Sequence, residues 1–385
     1  MKLIHTADLH IGRKLHEASL MEDQAYILER MIDAVREEKP QLLVLAGDIY
    51  DKSIPPSEAS VLLDTFLTRL AALDIVVCMV SGNHDSSERL DFGSRFFEKS
   101  RLYIAGTLRA GLTQVELEDE HGPLTLWLLP FIKPAVVRHV YGETASSIKS
   151  YDEAVRFVLS QQHIDTSRRN ILVAHQFVTS GSEGPQTSDS EILSLGGQDN
   201  IDVSAFESFD YVALGHIHRP QSLGRPSVRY SGSPLKYSFS EVSHSKGISI
   251  VELGRKNEDI VITHRPLVPL RDVREIKGPL AALLEQGRLQ GLLAQDYIRA
   301  ILTDEEEEMD VMERLRSVYP NTLTMSYDNS RTRSESHASV HRETLQMDPL
   351  SLFERFYTEQ NGTPLEGERK NMAVRYLKSV QEEQQ

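Results

Sequence analysis

The residues best suited to chemistry in this chain are histidines, carboxylates and one amide, gathered in five short clusters. The clusters are Asp8-Leu9-His10, Gly47-Asp48, Gly82-Asn83-His84-Asp85, Ala174-His175 and Gly215-His216-Ile217-His218. Imidazole, carboxylate and amide groups together suit manganese, iron or zinc, whereas calcium prefers a ligand set made only of oxygen. The clusters therefore indicate a transition-metal site.

The number of candidate ligands exceeds the four that a single tetrahedral ion needs. There are seven of them: Asp8, His10, Asp48, Asn83, His175, His216 and His218. Such a set suffices for two cations about 3.5–4 Å apart that share one carboxylate, an arrangement used to hydrolyse phosphate esters. His84 is then free to act on the substrate.

Each cluster directly follows a short apolar run of strand length. The runs cover residues 3–6, 42–46, 75–80, 171–174 and 211–214, and a sixth covers 124–129. Amphipathic helix patterns at 23–38 and 57–73 alternate with them, and apolar stripes at 89–99 and 154–159 suggest two more helices. Because these runs lack polar alternation, we expect strands buried on both faces and covered by helices. Polar residues at their carboxyl ends should then meet at one edge.

The rest of the chain divides by composition. Strand patterns at 227–231, 247–253 and 259–264 predict a second, β-rich sheet that completes a region spanning 1–265. Residues 266–328 predict a small α/β unit, with strands at 271–277, 296–302 and 322–327 and helices at 279–286 and 305–318. Residues 329–344 are polar and predict a linker. Residues 345–385 predict C-terminal helices with an apolar stripe of Leu352, Phe353 and Phe356.

Composition sets outer limits on function. The chain has 385 residues, 40% hydrophobic and 26% charged, which is typical of a globular protein and excludes a collagenous or wholly disordered one. No apolar run is long enough to predict a transmembrane helix. The first residues have only a short apolar stretch, broken by His5 and Asp8, so no signal peptide is expected. The single cysteine, Cys78, predicts a reducing cytoplasm. A net charge of −15 argues against coating DNA by bulk charge, but bound metal ions would supply positive charge locally.

The five clusters, in this order and each after a strand, resemble the motifs of the calcineurin-like metallophosphoesterases. Longer segments resemble the SbcD family of nuclease subunits within that superfamily: residues 5–12, 46–51, 215–220, 230–234 and 348–353. The resemblance implies an α/β fold, a two-sheet β-sandwich flanked by helices, with a small α/β capping domain that contacts DNA and with C-terminal helices.

The resemblance also implies roles for individual residues. One metal ion would be held by Asp8, His10, Asp48 and His218, and the other by Asp48, Asn83, His175 and His216, so that Asp48 bridges the two. His84 would donate a hydrogen bond or a proton toward the scissile phosphate. Archaeal relatives carry a histidine at the position of Asp51, so Asp51 is left out of the catalytic set.

The implied activity is two-metal hydrolysis of DNA phosphodiester bonds, with Mn²⁺ as the metal. A complex of this kind is an ATP-dependent double-strand exonuclease and a single-strand and hairpin endonuclease acting in DNA repair, replication and recombination. The implied partners are DNA, an SbcC-like coiled-coil ATPase bound by residues 345–385, and a second copy of the chain. That copy would form a homodimer within a heterotetramer, through the helices at 57–73 and 89–99; no membrane partner is expected.

Two other functions remain open at this point. The same core also suits a metal-dependent phosphatase or small-molecule phosphodiesterase, and a scaffold that has lost its metals is a third possibility. The intact ligand set disfavours the scaffold, and the extra α/β unit and C-terminal helices disfavour a minimal phosphatase. Near the site, His16, Arg13 and Lys14 either contact DNA phosphate or form a solvated loop, whereas a surface loop is expected for His244 and Lys246.

Overall fold

The computed structural model describes residues 1–191, 199–306 and 308–330, together with isolated residues between 332 and 373. The elements up to residue 191 are, in chain order, β1 (Lys2–Thr6), β2 (Lys14–Leu15), β3 (Ala18–Ser19), α1 (Met21–Glu38), β4 (Leu42–Ala46), α2 (Ser57–Ala71), β5 (Val76–Val80), α3 (Ser87–Asp91), α4 (Ser94–Phe97), β6 (Leu102–Ala105), β7 (Thr113–Asp119), β8 (Gly122–Leu129), α5 (Pro134–Tyr141), α6 (Tyr151–Ser160), β9 (Arg169–His175) and β10 (Val178–Thr179). From residue 199 onward they are β11 (Ile201–Asp202), β12 (Tyr211–Gly215), β13 (Gln221–Leu223), β14 (Arg225–Tyr230), β15 (Gly247–Glu252), β16 (Val261–Pro266), β17 (Val273–Gly278), α7 (Leu280–Leu289), β18 (Tyr297–Leu302), α8 (Val311–Arg316) and β19 (Thr322–Tyr327).

Two six-stranded sheets form the main body. The first has the order β16-β15-β1-β4-β5-β6 and the second the order β13-β14-β12-β9-β8-β7. Their facing surfaces share one apolar core, which includes Leu3, Val44 and Cys78 from the first sheet and Leu126 and Val173 from the second. Separate cores lie between the first sheet and helices α1 and α2, and between the second sheet and helices α5 and α6. This is the helix-flanked two-sheet sandwich that the family resemblance implies.

The strand expectations after residue 225 are only partly right. Strand β14 joins the second sheet beside β12, but β15 pairs antiparallel with β1 and β16 pairs with β15, so both extend the first sheet. Lys2, near the start of the chain, lies opposite Glu252. Local periodicity identifies a strand but contains no signal for so distant a partner, which is why the expectation places residues 247–253 and 259–264 in the wrong sheet.

The segment after β5 also differs from the expected single helix at 89–99. Gly93 adopts φ 76° and separates the short helices α3 and α4. Phe92 and Phe96, on either side of it, are 84% and 81% exposed. A left-handed residue interrupts helical geometry, so the apolar pattern here marks an exposed surface and not a buried stripe.

The α/β unit contains a parallel sheet, β17-β18-β19, covered by α7 and α8 around its own core. Its last helix begins at Val311, six residues later than expected, because Asp310 takes a left-handed φ of 56° just before it. Asp23 on α1 ties this unit to the sandwich by accepting hydrogen bonds from Arg271 and from the Tyr297 hydroxyl, the latter at 2.8 Å.

The predicted linker at 329–344 and the predicted helices at 345–385 lie mostly outside the described residues, so both stay predictions. Within the described part of the chain, none of the helices combines the length and apolar character needed to cross a bilayer.

Candidate metal centre

The five polar clusters lie at the carboxyl ends of strands from both sheets, where the two sheets come together. β1, β4 and β5 lead into the first three clusters, and β9 and β12 lead into the last two. The sheets are joined there by hydrogen bonds: His175 Nδ1 lies 2.8 Å from the Ala46 carbonyl oxygen, and the His216 backbone N–H donates to Asp8 Oδ1 at 2.9 Å. The edge expected from strand order is therefore shared by two sheets.

Two glycines permit this close approach. A Cβ atom on Gly215 would lie 1.9 Å from the Ala46 carbonyl oxygen, and one on Gly47 would lie 2.3 Å from His175 Nδ1. Gly47 also has φ +88°, a conformation that side chains with a Cβ rarely adopt. Any larger residue at either position would push the two sheets apart.

The backbone is strained at four of the seven candidate ligands. Asp8, His10, Asp48 and His216 have φ values of 55°, 44°, 49° and 102°. Positive φ is uncommon for residues other than glycine and is concentrated at functional sites, where surrounding contacts must maintain it. Here the Asp8 and His10 amides donate to the carbonyl oxygens of Gly47 and Asp48, which holds the first two clusters against each other.

The seven candidate ligands are brought together. Asp8, His10 and His218, the first ligand group, have donor atoms within 4.8 Å of one another; Asp8, Asp48 and His175, the second ligand group, do as well. Asp8 belongs to both groups, and Asp48 links them as well: its Oδ2 lies 3.3 Å from His175 Nε2 in its own group and 3.6 Å from His10 Nε2 in the first.

Asn83 and His216 complete the cluster on the side of the second ligand group. The Asn83 amide oxygen lies 3.1 Å from His175 Nε2 and 2.9 Å from His216 Nδ1. Burial lowers the pKa of His216 to about 3, so its imidazole is neutral and has a lone pair to offer. The sequence indicated the residue but not which of its nitrogens faces the site.

The electrostatics of the cluster fit divalent cations. Asp8 Oδ2 is buried and has no hydrogen-bond partner among the described residues, and burial raises the pKa of Asp8 to about 6. Burial acts to lower the pKa of His175, but the carboxylates of Asp48 and Asp8 outweigh it and raise that pKa to about 9. A site that draws protons onto a buried imidazole is short of positive charge, which bound cations would supply.

His84 lies beside these groups in a defined orientation. Its backbone N–H donates to Asp48 Oδ1 at 2.9 Å, and its ring centroid lies 4.7 Å from that of His10. Its Nδ1 lies 2.9 Å from the Asp51 carbonyl oxygen, which can only accept, so the proton is on Nδ1. The other ring nitrogen, Nε2, is thereby directed away from Asp51 and is the one available to a substrate.

Sequence reasoning missed several residues that support the site. The Asp85 carboxylate accepts hydrogen bonds from the backbone N–H groups of Ile49, Tyr50 and Gly82 at 2.9–3.1 Å, which joins the Asp48 loop to the Asn83 loop. Its place in the Gly-Asn-His-Asp cluster was the available signal.

The expectation of a surface loop at Lys246 is wrong. Lys246 is 6% exposed and forms an ion pair with the fully buried Glu241. Neither Glu241 nor Ser190, which contacts it, belongs to a motif, so no signal in the sequence pointed to them. Arg13 is also engaged, since it forms an ion pair with the Asp51 carboxylate at 2.9 Å.

An open groove of about 970 Å³ runs along the His84 side of the cluster. Lys14, His16 and Lys52 line it and are exposed, and Glu17 is the one exposed acid among its lining residues. Lys14 and His16 therefore belong to a solvated loop that borders the site, and contact of this loop with DNA phosphate stays a prediction.

Comparison with known proteins places the chain in a family. Residues 1–220 match the family model described as calcineurin-like phosphoesterase, and residues 269–361 match the one described as type 5 capsule protein repressor C-terminal domain. The SbcD subunit of the nuclease SbcCD from Staphylococcus epidermidis is 36% identical over 99% of this chain and 96% of its own length. The chain belongs to the SbcD family.

A second SbcD relative, from the nuclease SbcCD of Staphylococcus saprophyticus, is 35% identical over 95% of this chain and 94% of its own length. Among solved structures, a dimetal phosphatase from Danio rerio is 17% identical and has a TM-score of 0.41, covering 70% of this chain and 96% of its own. In this SbcD-family chain the phosphoesterase match ends two residues after His218, so it contains all seven candidate ligands and His84.

Proposed function

We propose that this chain is the nuclease subunit of an SbcCD-like complex and hydrolyses phosphodiester bonds of DNA in repair, replication and recombination. The convergence of seven candidate ligands next to an oriented His84 is the observation that carries the proposal. Family membership supports it, because the SbcD relatives bear the name of a nuclease subunit.

We propose that the centre binds two divalent cations, and that both are manganese, because Mn²⁺ suits the mixed nitrogen and oxygen donors. One is held by Asp8, His10, Asp48 and His218, and the other by Asp48, Asn83, His175 and His216. When bound, such a pair of cations supplies charge to the phosphate oxygens and lowers the pKa of water. The same Asp48 oxygen lies near His175 of the second ligand group and near His10 of the first, so Asp48 is the residue suited to bridge the two cations.

His84 acts on the substrate in this proposal. The Asp51 carbonyl fixes the proton on Nδ1, so Nε2 is presented to the scissile phosphate. In the imidazolium form, which carries a proton on both nitrogens, Nε2–H donates a hydrogen bond to the phosphate or a proton to the departing oxygen. A positioned group of this kind typically contributes about 10²–10⁴-fold to the rate.

The groove beside His84 favours a nucleic-acid substrate over a small phosphate ester. Lys14, His16 and Lys52 line the same groove as His84, so they suit phosphates that neighbour the scissile one. Salt-dependent contacts of lysine with flanking phosphates are the usual source of affinity for DNA. We further propose that the α/β unit at 266–328 contacts DNA as a cap.

The partners follow from surfaces and segments outside the centre. We propose that residues 345–385 bind an SbcC-like coiled-coil ATPase and that two copies of this chain pair through α2, α3 and α4. Exposed apolar side chains on α2 and α4 and between α3 and α4 support the pairing, since Val61, Phe92 and Phe96 are 65%, 84% and 81% exposed. The one cysteine, Cys78, is buried and free, in keeping with a reducing cytoplasm.

The test is cleavage of linear duplex, single-stranded and hairpin DNA by the purified chain, with and without Mn²⁺ and the partner ATPase. We expect manganese-dependent endonuclease activity from the chain alone and ATP-dependent degradation of duplex ends with the ATPase. His84→Ala serves as the inactive control. Hydrolysis of a phosphomonoester but of none of the DNA substrates would favour the phosphatase alternative and overturn the proposal.

A further inference from the structure

His218 differs from the other candidate ligands in what holds its second ring nitrogen. Its Nε2 lies 3.1 Å from His10 Nε2 inside the first ligand group, while its Nδ1 lies 2.7 Å from the Ser190 hydroxyl. That hydroxyl lies 2.5 Å from Glu241 Oε1. All three residues are buried, so solvent does not compete for these contacts.

The direction of each hydrogen bond follows from the chemistry of the groups. An ionised carboxylate only accepts, so the Ser190 hydroxyl donates its proton to Glu241. The hydroxyl oxygen then accepts from Nδ1–H of His218. A neutral imidazole with its proton on Nδ1 has its lone pair on Nε2, which is the nitrogen that faces His10. This chain of hydrogen bonds from His218 through Ser190 to Glu241, the relay, thus fixes the tautomer that a metal ligand requires.

Lys246 completes the relay on the far side. Its Nζ lies 2.5 Å from Glu241 Oε2, and it donates to the His218 carbonyl oxygen at 2.7 Å and to the Ser233 hydroxyl at 2.8 Å. A buried carboxylate needs a paired cation to remain ionised. Lys246 therefore maintains the charge on Glu241 and also holds the main chain of His218.

The main chain around Ser190 is anchored to the same centre. Arg13 Nη2 donates to the Ser190 carbonyl oxygen at 3.1 Å, and the Glu191 carboxylate accepts the His218 backbone N–H at 2.7 Å. His218 is therefore held through its ring by Ser190, through its N–H by Glu191 and through its carbonyl by Lys246. A residue held at three points loses little conformational freedom when it binds a metal.

We propose that Ser190, Glu241 and Lys246 are positioning residues that hold His218 ready to bind a cation, and that they set the affinity of the first ligand group selectively. The inference deepens the proposed function and rests on its two-metal site. Selectivity follows because the second ligand group has different support: His175 Nδ1 donates to the Ala46 carbonyl oxygen and has no contact with the relay among the described residues. Mutation of a residue that hydrogen-bonds to a metal ligand typically lowers metal affinity by about 10–100-fold.

The test is calorimetric titration of the metal-stripped full-length chain with Mn²⁺, comparing wild type with Ser190→Ala. We expect wild type to bind two ions, and Ser190→Ala to bind one of them about 10–100-fold more weakly with the other unchanged. Ser190→Thr keeps a hydroxyl and should restore binding. Ser188→Ala is the matched control, because its hydroxyl lies 3.1 Å from that of Ser190 and has no contact with His218 among the described residues.

A second measurement is made on the wild-type chain itself, and a variant serves only to assign the resonance. Wild-type chain labelled with ¹⁵N-histidine and loaded with Zn²⁺ should show His218 protonated at Nδ1, identified as the resonance absent from His218→Gln. A proton on Nε2 instead would overturn the relay. If Ser190→Ala binds both ions equally more weakly, or neither more weakly, the selectivity is overturned while the proposed function stays intact. A wild-type chain that binds no ion would overturn both.

Discussion

The ring of His84 is held by the main chain of Asp51 and not by its side chain: His84 Nδ1 lies 2.9 Å from the Asp51 carbonyl oxygen. The Asp51 carboxylate instead pairs with Arg13 and lies 3.8 Å from His10 Nδ1. A carbonyl group is present whatever side chain occupies position 51. The orientation of His84 therefore does not depend on which side chain occupies position 51.

The first prediction separates these two residues. His84→Ala should retain its metal ions but cleave single-stranded DNA about 10²–10⁴-fold more slowly, because it removes the group positioned on the phosphate. Asp51→Asn should show a much smaller loss, since the carbonyl that orients His84 remains. Cleavage rates in Mn²⁺ and elemental analysis check both variants. Equal losses in the two variants would mean that the carboxylate has a direct role.

The second prediction concerns the shared carboxylate. Asp48→Ala should lose both metal ions, because the two cations would then repel each other without an anion between them, and cleavage should become undetectable. The variant also removes the oxygen that accepts the His84 N–H. Elemental analysis measures the number of metal ions per chain, and Asp51→Asn is the control that should keep its metals. Two ions per chain in Asp48→Ala would contradict the bridging role.

The third prediction concerns the exposed phenylalanines. The double variant Phe92→Glu with Phe96→Glu should convert a dimer into a monomer, because it places like charges from both copies in a symmetric apolar interface. Sedimentation at micromolar concentration measures the change. Leu292→Glu is the matched control, since Leu292 is 89% exposed but lies in the α/β unit. A wild-type chain that is strictly monomeric would count against the interface.

The fourth prediction concerns the C-terminal segment. Deletion of residues 345–385 should leave manganese-dependent cleavage of single-stranded DNA by the isolated chain unchanged, because all seven candidate ligands lie before residue 220. Co-purification with the ATPase and ATP-stimulated cleavage of duplex ends should be lost. Each large apolar side chain of the predicted helix would contribute about 1.5–3 kcal/mol when buried on the partner. Full recovery of the ATPase by the truncated chain would locate the contact elsewhere.

The fifth prediction links stability to pH. Burial acts to raise the pKa of Asp119, but hydrogen bonds from Arg169 outweigh it and hold the pKa well below its usual range. A depressed carboxyl pKa adds stability that is present above the unfolded-state pKa, near 4, and is lost as pH falls toward the folded-state pKa. Asp119→Asn should therefore lower the free energy of unfolding by about 3–5 kcal/mol at pH 7.

Measurements at low pH test the direction of this pH dependence. The difference in the free energy of unfolding between wild type and Asp119→Asn, measured by urea unfolding, should become smaller as pH falls below about 4. Arg168→Gln is a suitable control, because Arg168 pairs with Asp165 at the surface, with 52% of its side chain exposed. If this difference in the free energy of unfolding does not change with pH, the pKa of Asp119 is not lowered by folding and the prediction is wrong.

The sequence by itself determined which residues form the candidate centre. Each ligand cluster directly follows a buried strand, and both features are local: a run of apolar residues gives the strand, and the polar residues come next along the chain. Sheet geometry then places all strand ends at an edge. The helices α1 and α2 were predictable for the same reason, because a 3.6-residue apolar period is visible within one segment.

Only the tertiary structure decided which partners those residues meet. The pairing of β1 with β15, the choice of Nδ1 in His216 and the relay from His218 through Ser190 to Glu241 all join positions far apart in sequence. The sequence predicts an exposed Lys246 because lysine in a loop usually is. Lys246 is buried because the tertiary fold pairs it with the buried carboxylate of Glu241. A local sequence pattern does not show which opposite charge a side chain will face in the folded chain.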